Sequence, residues 1–141
     1  MTLQVLRQKL QTLTGTNIGE VFFDWKDYLN EQRGKSYPCV LWQLDGAKFT
    51  EDVRTSTIQK TKLITLTVFA ISLHDPNVDK VTEWDTLEGY FKVYMNKVNE
   101  MTGLTIGNIN EIKGQYAGEG LISADQEVGI MYTEVQLKMW C

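Results

Sequence analysis

The segment from Lys62 to Leu73 constrains the fold of this chain more than any other. It reads Lys-Leu-Ile-Thr-Leu-Thr-Val-Phe-Ala-Ile-Ser-Leu, so apolar and β-branched side chains fall on both faces of an extended strand. A strand that is apolar on both faces belongs in the middle of a sheet and is covered by helix on at least one side. The segment therefore predicts the central strand of a compact α+β domain.

A long amphipathic helix at about residues 82–101 supplies that cover. Its large apolar side chains recur at alternating spacings of 3 and 4, which place them on one helical face: Trp84, Leu87, Phe91, Tyr94, Val98 and Met101. The stripe is wide enough to pack against the central strand. We therefore expect a mixed, mostly antiparallel sheet covered by this helix.

The helix has two candidate starts in the sequence. It could begin at Pro76 with Asp75 as the N-cap, or at Thr82, where Thr82 and Asp85 have the spacing of a capping box. Gly103 is the predicted stop, because glycine commonly follows the last helical residue.

Shorter elements precede the central strand. Leucines at 3-4-3 spacing predict a short N-terminal helix at about 2–14. Residues 21–25 predict a strand, and residues 25–33 a turn of helix. Residues 36–44 predict the next strand, with Pro38 at its start or on a sheet edge, because proline cannot donate to a strand ladder.

A polar hairpin arm or long loop is predicted at about 46–61, after the turn dipeptide Asp45-Gly46. Its apolar residues are few: Phe49, Val53 and Ile58. They are too few to repay the ordering of about a dozen residues at roughly 1–2 kcal/mol each. We therefore expect a partner to hold the arm by pairing with it as a strand, while Arg54 sets the register by charge.

The C-terminal third predicts further strands. Residues 104–116 give one or two short strands, and the glycines of 114–120 indicate a flexible loop. In a final strand at 130–140, Met131, Val135 and Leu137 share the core face, and Tyr132 and Trp140 share the opposite face. The two aromatic residues form a subunit contact, or helices of the same chain cover them; the sequence leaves both alternatives open.

Composition excludes several classes of protein. The 141 residues predict one domain over residues 1–141, and the net charge of -4 with no run of Lys or Arg argues against a phosphate-neutralising surface. No window approaches 18 uninterrupted apolar residues, so no membrane partner is expected. Cys39 lies in an apolar strand and Cys141 is the last residue, which favours a reducing compartment. We expect a cytoplasmic protein, or one packed into an assembly built in the cytoplasm.

The sequence predicts no catalytic, cofactor-binding or metal-binding residue, and no enzyme activity. His74-Asp75 has the elements of a proton-transfer pair, but a strand-to-helix turn is the expected role. One histidine and two distant cysteines make no zinc ligand set. Five carboxylates could gather as in a nuclease, although their spacing is that of a solvated acidic surface: Asp24, Asp27, Asp45, Glu51 and Asp52.

In element order and length, the chain resembles the tail-terminator and neck (head-tail connector) proteins of long-tailed bacteriophages. The resemblance rests on the proline-aromatic strand entry Ser36-Tyr-Pro-Cys-Val-Leu-Trp42, the Thr-rich strand pair that follows and the single long helix. It spans nearly the whole chain. The sparsely apolar 47–60 segment and the tryptophan-cysteine terminus depart from the family pattern.

The resemblance implies a structural virion protein at the head-tail junction or tail end, assembled in the host cytoplasm. Proteins of this family form homo-oligomeric rings, usually hexamers, that adjoin connector, portal or tail-tube proteins. DNA passes through the lumen without sequence-specific binding, and no cofactor is involved. Phe49, Val53, Arg54, Ile58, Tyr132 and Trp140 are the expected interface residues. The alternatives are a monomeric binding or enzymatic domain with a cleft beside the central strand, and a tube component of a contractile injection system.

Overall fold

The computed structural model describes residues 3–13, 17–29, 36–54, 57–101, 104–109, 112–117 and 127–140. Within these ranges it describes side chains except at 49–61, 104–109, 117 and 139–140. The elements are α1 (Leu3–Gln11), β1 (Glu20–Phe23), α2 (Trp25–Leu29), β2 (Cys39–Arg54), β3 (Thr57–Leu73), α3 (Lys80–Asn99), β4 (Leu104–Ile109), β5 (Lys113–Ala117) and β6 (Val128–Trp140). The predicted α+β class is confirmed.

The strands form one mixed sheet in the order β1-β2-β3-β6-β4, with β5 also paired to β6. The β1–β2 pair is parallel and every other pair is antiparallel. β4 lies beside Val135–Met139 and β5 beside Val128–Tyr132, so these two strands follow one another along the same side of β6. β3 is therefore the central strand, as its apolar sequence predicts.

One face of the sheet is covered by α1 and α3. The predicted helical stripe is buried on this face, with Trp84 and Met101 partly buried at its ends and Met95 as an additional core residue. Alternate residues of β3 pack beneath it: Ile64, Leu66, Val68 and Ala70. The period of the helix therefore determines which of its side chains form the core.

The long helix predicted at about 82–101 is confirmed, but neither predicted N-cap residue caps it. Asp79 is the N-cap of α3, and its carboxylate accepts a hydrogen bond from the Val81 N–H at 3.2 Å. Asp75 instead accepts from the Asn77 N–H at 2.9 Å, which closes a turn before the helix. The C-cap is Glu100, and the predicted stop at Gly103 lies outside the described residues.

The dipeptide Asp45-Gly46 is a β-bulge, which corrects the predicted turn. β2 runs through it, and the register with β3 shifts between Leu44 and Gly46. The Asp45 carboxylate accepts hydrogen bonds from Thr67 Oγ1 at 2.6 Å and Gln43 Nε2 at 2.8 Å. A turn here would need the residues on either side to pair with each other, whereas both sides pair with β3. The predicted hairpin at 46–61 is confirmed, with its end between Arg54 and Thr57.

The other face of the sheet carries a second, smaller core at one end. α2 packs there, and the buried residues are Phe22, Tyr28, Cys39, Leu41, Ile71, Val128 and Ile130. Cys39 is a buried thiol, as its apolar neighbours predict. Toward the arm, this face becomes polar through Gln43, Thr67 and Glu134, which are paired across β2, β3 and β6.

The C-terminal strands correct one further prediction. Gly114 lies in β5, in agreement with the strands predicted at 104–116 and not with the flexible loop predicted at 114–120. A Cβ at this position would collide with the ring of Trp84, so glycine lets α3 approach the strand closely. Residues 118–120 lie outside the described residues, and β6 begins at Val128, two positions before the predicted start.

Candidate subunit interface

The outer part of the β2–β3 hairpin extends beyond the rest of the sheet. β6 ends at Trp140, which pairs with Thr61, and Thr61 pairs with Thr50 on its other side. Beyond this level, 51–54 and 57–60 pair only with each other among the described strands. This part of the hairpin, called the arm below, is roughly 13 Å long at about 3.3 Å per residue.

Five of the six predicted interface residues lie on or beside the arm. Val53 pairs with Ile58 and Arg54 pairs with Thr57 near its end, whereas Phe49 pairs with Lys62 just inside the sheet. Trp140 pairs with Thr61 at the base. The β3–β6 register thus places Trp140 beside a segment that lies nearly 80 positions earlier in the chain. Of these five predicted interface residues, only the backbone is described.

Tyr132 lies elsewhere. It pairs with Phe69 in β3, roughly 26 Å from Trp140 along β6 at about 3.3 Å per residue. Its ring contacts Phe69 with centroids 5.7 Å apart, and Phe69 contacts Trp25 with centroids 4.9 Å apart. Tyr132 is therefore partly buried within its own chain at the edge of the second core, and the two predicted aromatic contacts belong to different regions.

The outer edge of β2 is a feature that sequence analysis missed. β1 pairs with β2 only from Cys39 to Trp42. From Gln43 to Arg54, no described strand lies on the outer side of β2. Leu44 on this edge is 54% exposed. Such an edge offers unpaired N–H and C=O groups to another strand. The length of the polar segment at about 46–61 predicts that it extends beyond the sheet. The sequence does not indicate which edge of the sheet then lacks a paired strand.

A largely apolar pocket of about 390 Å³ opens beside the start of this edge, between α1 and the sheet. Its apolar walls include Leu6, Trp42 and Leu66. The exposed Leu44 also lines the pocket, on the side next to the outer edge of β2. Arg7 lines it as well, and its guanidinium lies 5.7 Å from the centroid of the Phe23 ring and 3.6 Å from the Asp27 carboxylate.

A polar cluster surrounds His74 at the strand-to-helix turn. His74 Nδ1 lies 2.8 Å from Glu83 Oε1, and the Asp75 N–H donates to Glu83 Oε2 at 2.7 Å. The imidazole thus contacts a carboxylate of α3. Tyr116 of β5 donates to the Lys80 carbonyl at 3.1 Å and lies 3.4 Å from Glu83. The cluster ties the turn, α3 and β5 together.

Burial and nearby charges shift two pKa values in this cluster. Burial, and then the nearby Glu83 carboxylate, raise the pKa of Tyr116. The hydrogen bond from Lys80 lowers the pKa of Glu127, whose carboxylate lies 2.7 Å from the Lys80 ammonium. The Lys80 ammonium also lies 4.6 Å from the centroid of the Tyr116 ring. These contacts stabilise the start of α3.

The side chains of Glu51 and Asp52 are not described, and the acidic residues do not gather into a metal site among the side chains that the structure describes. There, no group of three or more His, Cys, Asp or Glu side chains could hold a metal ion. Asp27 faces Arg7, whereas Asp45 accepts hydrogen bonds within the sheet. Among the helices that the structure describes, none combines the length and the hydropathy needed to cross a membrane.

Neither a protein-family model nor a curated protein sequence matches this chain.

Proposed function

We propose that this protein is a structural subunit of a ring at the head-tail junction or tail end of a long-tailed bacteriophage, through which DNA passes. The observation that carries the proposal is the arm, since 51–54 and 57–60 pair only with each other in the described chain. A short two-stranded ribbon is at best marginally stable by itself in water. A neighbouring subunit supplies a further strand partner, which the arm does not have among the described strands.

Two further features support a subunit role. Along most of β2 no described strand lies on its outer side, and the second face of the sheet becomes polar toward the arm. The net charge of -4 suits a channel that lets DNA pass without binding it. The ring is a homo-oligomer, a hexamer by resemblance, and it adjoins connector, portal or tail-tube proteins.

The pocket beside β2 favours one alternative function, a monomeric domain that binds a small molecule. Its volume of about 390 Å³ lies within the usual range for ligand sites. A tube component of a contractile injection system would share the ring assembly, and imaging of the whole particle distinguishes that case.

The test is light scattering of the purified protein over a wide concentration range, combined with negative-stain electron microscopy. We expect closed rings with a central channel wide enough for duplex DNA. A protein that stays monomeric at its highest soluble concentration would contradict the proposal and favour the binding domain. Binding of a small molecule to that monomer should then change the fluorescence of Trp42, which lines the pocket.

A further inference from the structure

The sheet has two opposite edges that match in strand direction. Strand direction reverses at each step from β2 to β3, from β3 to β6, and from β6 to β4 and β5. β4 and β5 therefore run opposite to β2. If a second copy lies beside the first in the same orientation, its β2 is antiparallel to the β4–β5 edge of the first. Copies related in this head-to-tail way form rings when the rotation closes.

The two edges also match in length. Residues that pair with one another across the sheet are said here to share a level. β4 and β5 together span the level of Lys62 to Leu73 in β3. The free part of β2 spans the level of Thr57 to Thr67. Each edge can therefore cover nearly the whole of the other.

β1 determines how the two edges align. It occupies the side of β2 from Cys39 to Trp42, at the same level as β5. An unshifted neighbour would place its β1 where β5 of the first copy lies. Displacing the neighbour along the strands by about six residues, roughly 20 Å, so that its arm comes level with β4 of the first copy, removes this collision. Closing a sheet into a ring itself requires a stagger between strands.

The sequence of β4 fits such a contact. Its residues, Leu-Thr-Ile-Gly-Asn-Ile, include no charge and no proline, the usual devices that protect a free edge from pairing. After the shift, β4 lies beside the arm of the neighbour, and β5 covers the exposed Leu44 region.

On the basis of the ring proposed above, we infer that the free edge of β2 pairs in antiparallel register with the β4–β5 edge of the next copy of this chain. β4 of one subunit then holds the arm of its neighbour, with Ile106 opposite Val53. Main-chain hydrogen bonds supply the contact, as in other cases of strand addition.

Disulfide trapping tests this register. Directly opposed residues of antiparallel strands have Cβ atoms about 4.5–5.5 Å apart, close enough for cysteines to bond after small movements. In a Cys141→Ser background, V53C combined with I106C should form a ladder of covalent oligomers on oxidation, which ends at the ring size and disappears on reduction. The control A47C with I106C represents the unshifted register and should form none.

The remaining outcomes separate the inference from the proposed function. Dimers formed by V53C or I106C alone would indicate two-fold pairing and overturn the inference, as would a ladder from the A47C control. Rings without any covalent ladder would leave the ring intact and overturn the edge pairing. Monomers without a ladder would overturn both. If circular dichroism shows that either cysteine variant is unfolded, R54C with T105C tests the adjacent level.

Discussion

A buried hydrogen bond between α3 and β2 gives a quantitative test of the core. Trp42 Nε1–H donates to the Tyr94 hydroxyl at 3.0 Å, and the two residues are 1% and 0% exposed. In Tyr94→Phe, water cannot replace the lost acceptor, so the indole N–H stays buried without a partner. Leaving a buried donor unsatisfied costs about 1–3 kcal/mol, and we expect the free energy of unfolding to fall by that amount.

Tyr90 provides the matched control, because it lies on the same helix and is partly buried. Its hydroxyl makes no hydrogen bond to any residue that the structure describes. Urea titration should show that Tyr90→Phe changes stability by less than about 0.5 kcal/mol. A double-mutant cycle with Trp42→Phe should give a coupling energy of about 0.5–3 kcal/mol for the pair. Equal midpoints for the two tyrosine variants would refute the reasoning.

The same variant also has a predicted pH dependence. Burial raises the pKa of Tyr94 well above its ordinary value of 10.0. The unfolded chain therefore loses this proton above about pH 10 while the folded protein keeps it, so stability is complete below pH 10 and falls above it. Because phenylalanine has no such proton, the deficit of Tyr94→Phe should shrink by about 1 kcal/mol between pH 10 and pH 11 in the same titrations.

Two further predictions concern the turn and the arm. His74→Ala removes one hydrogen bond to Glu83, but the Glu83 carboxylate still accepts a hydrogen bond from the Asp75 N–H. The free energy of unfolding should therefore fall by only about 0.5–1.5 kcal/mol, and assembly should be unchanged. Loss of particle assembly in a folded His74→Ala protein would contradict a purely structural histidine. In hydrogen exchange, amides of the arm should exchange quickly in the free subunit and slowly in the assembled particle; strong protection in the free subunit would show that the arm needs no neighbour.

Local patterns in the sequence determined the central strand and its helix. The apolar run at Lys62–Leu73 became the middle strand, and the alternating spacings of 3 and 4 correctly placed Leu87, Phe91 and Val98 in the core. These features could be predicted because periodicity along a single segment decides which side chains can be buried together.

Tertiary structure decided what depends on distant partners. Asp45-Gly46 is a bulge because both sides of it pair with β3, and the helix begins after Asp79 although two other starts had suitable capping residues. Trp140 lies beside the arm and Tyr132 does not because the β3–β6 register sets their positions. Sheet register and free edges arise from pairing between segments far apart in the chain, which no local pattern records. The periodicity therefore specified the core, and only the folded sheet showed which edge of β2 has no described strand beside it.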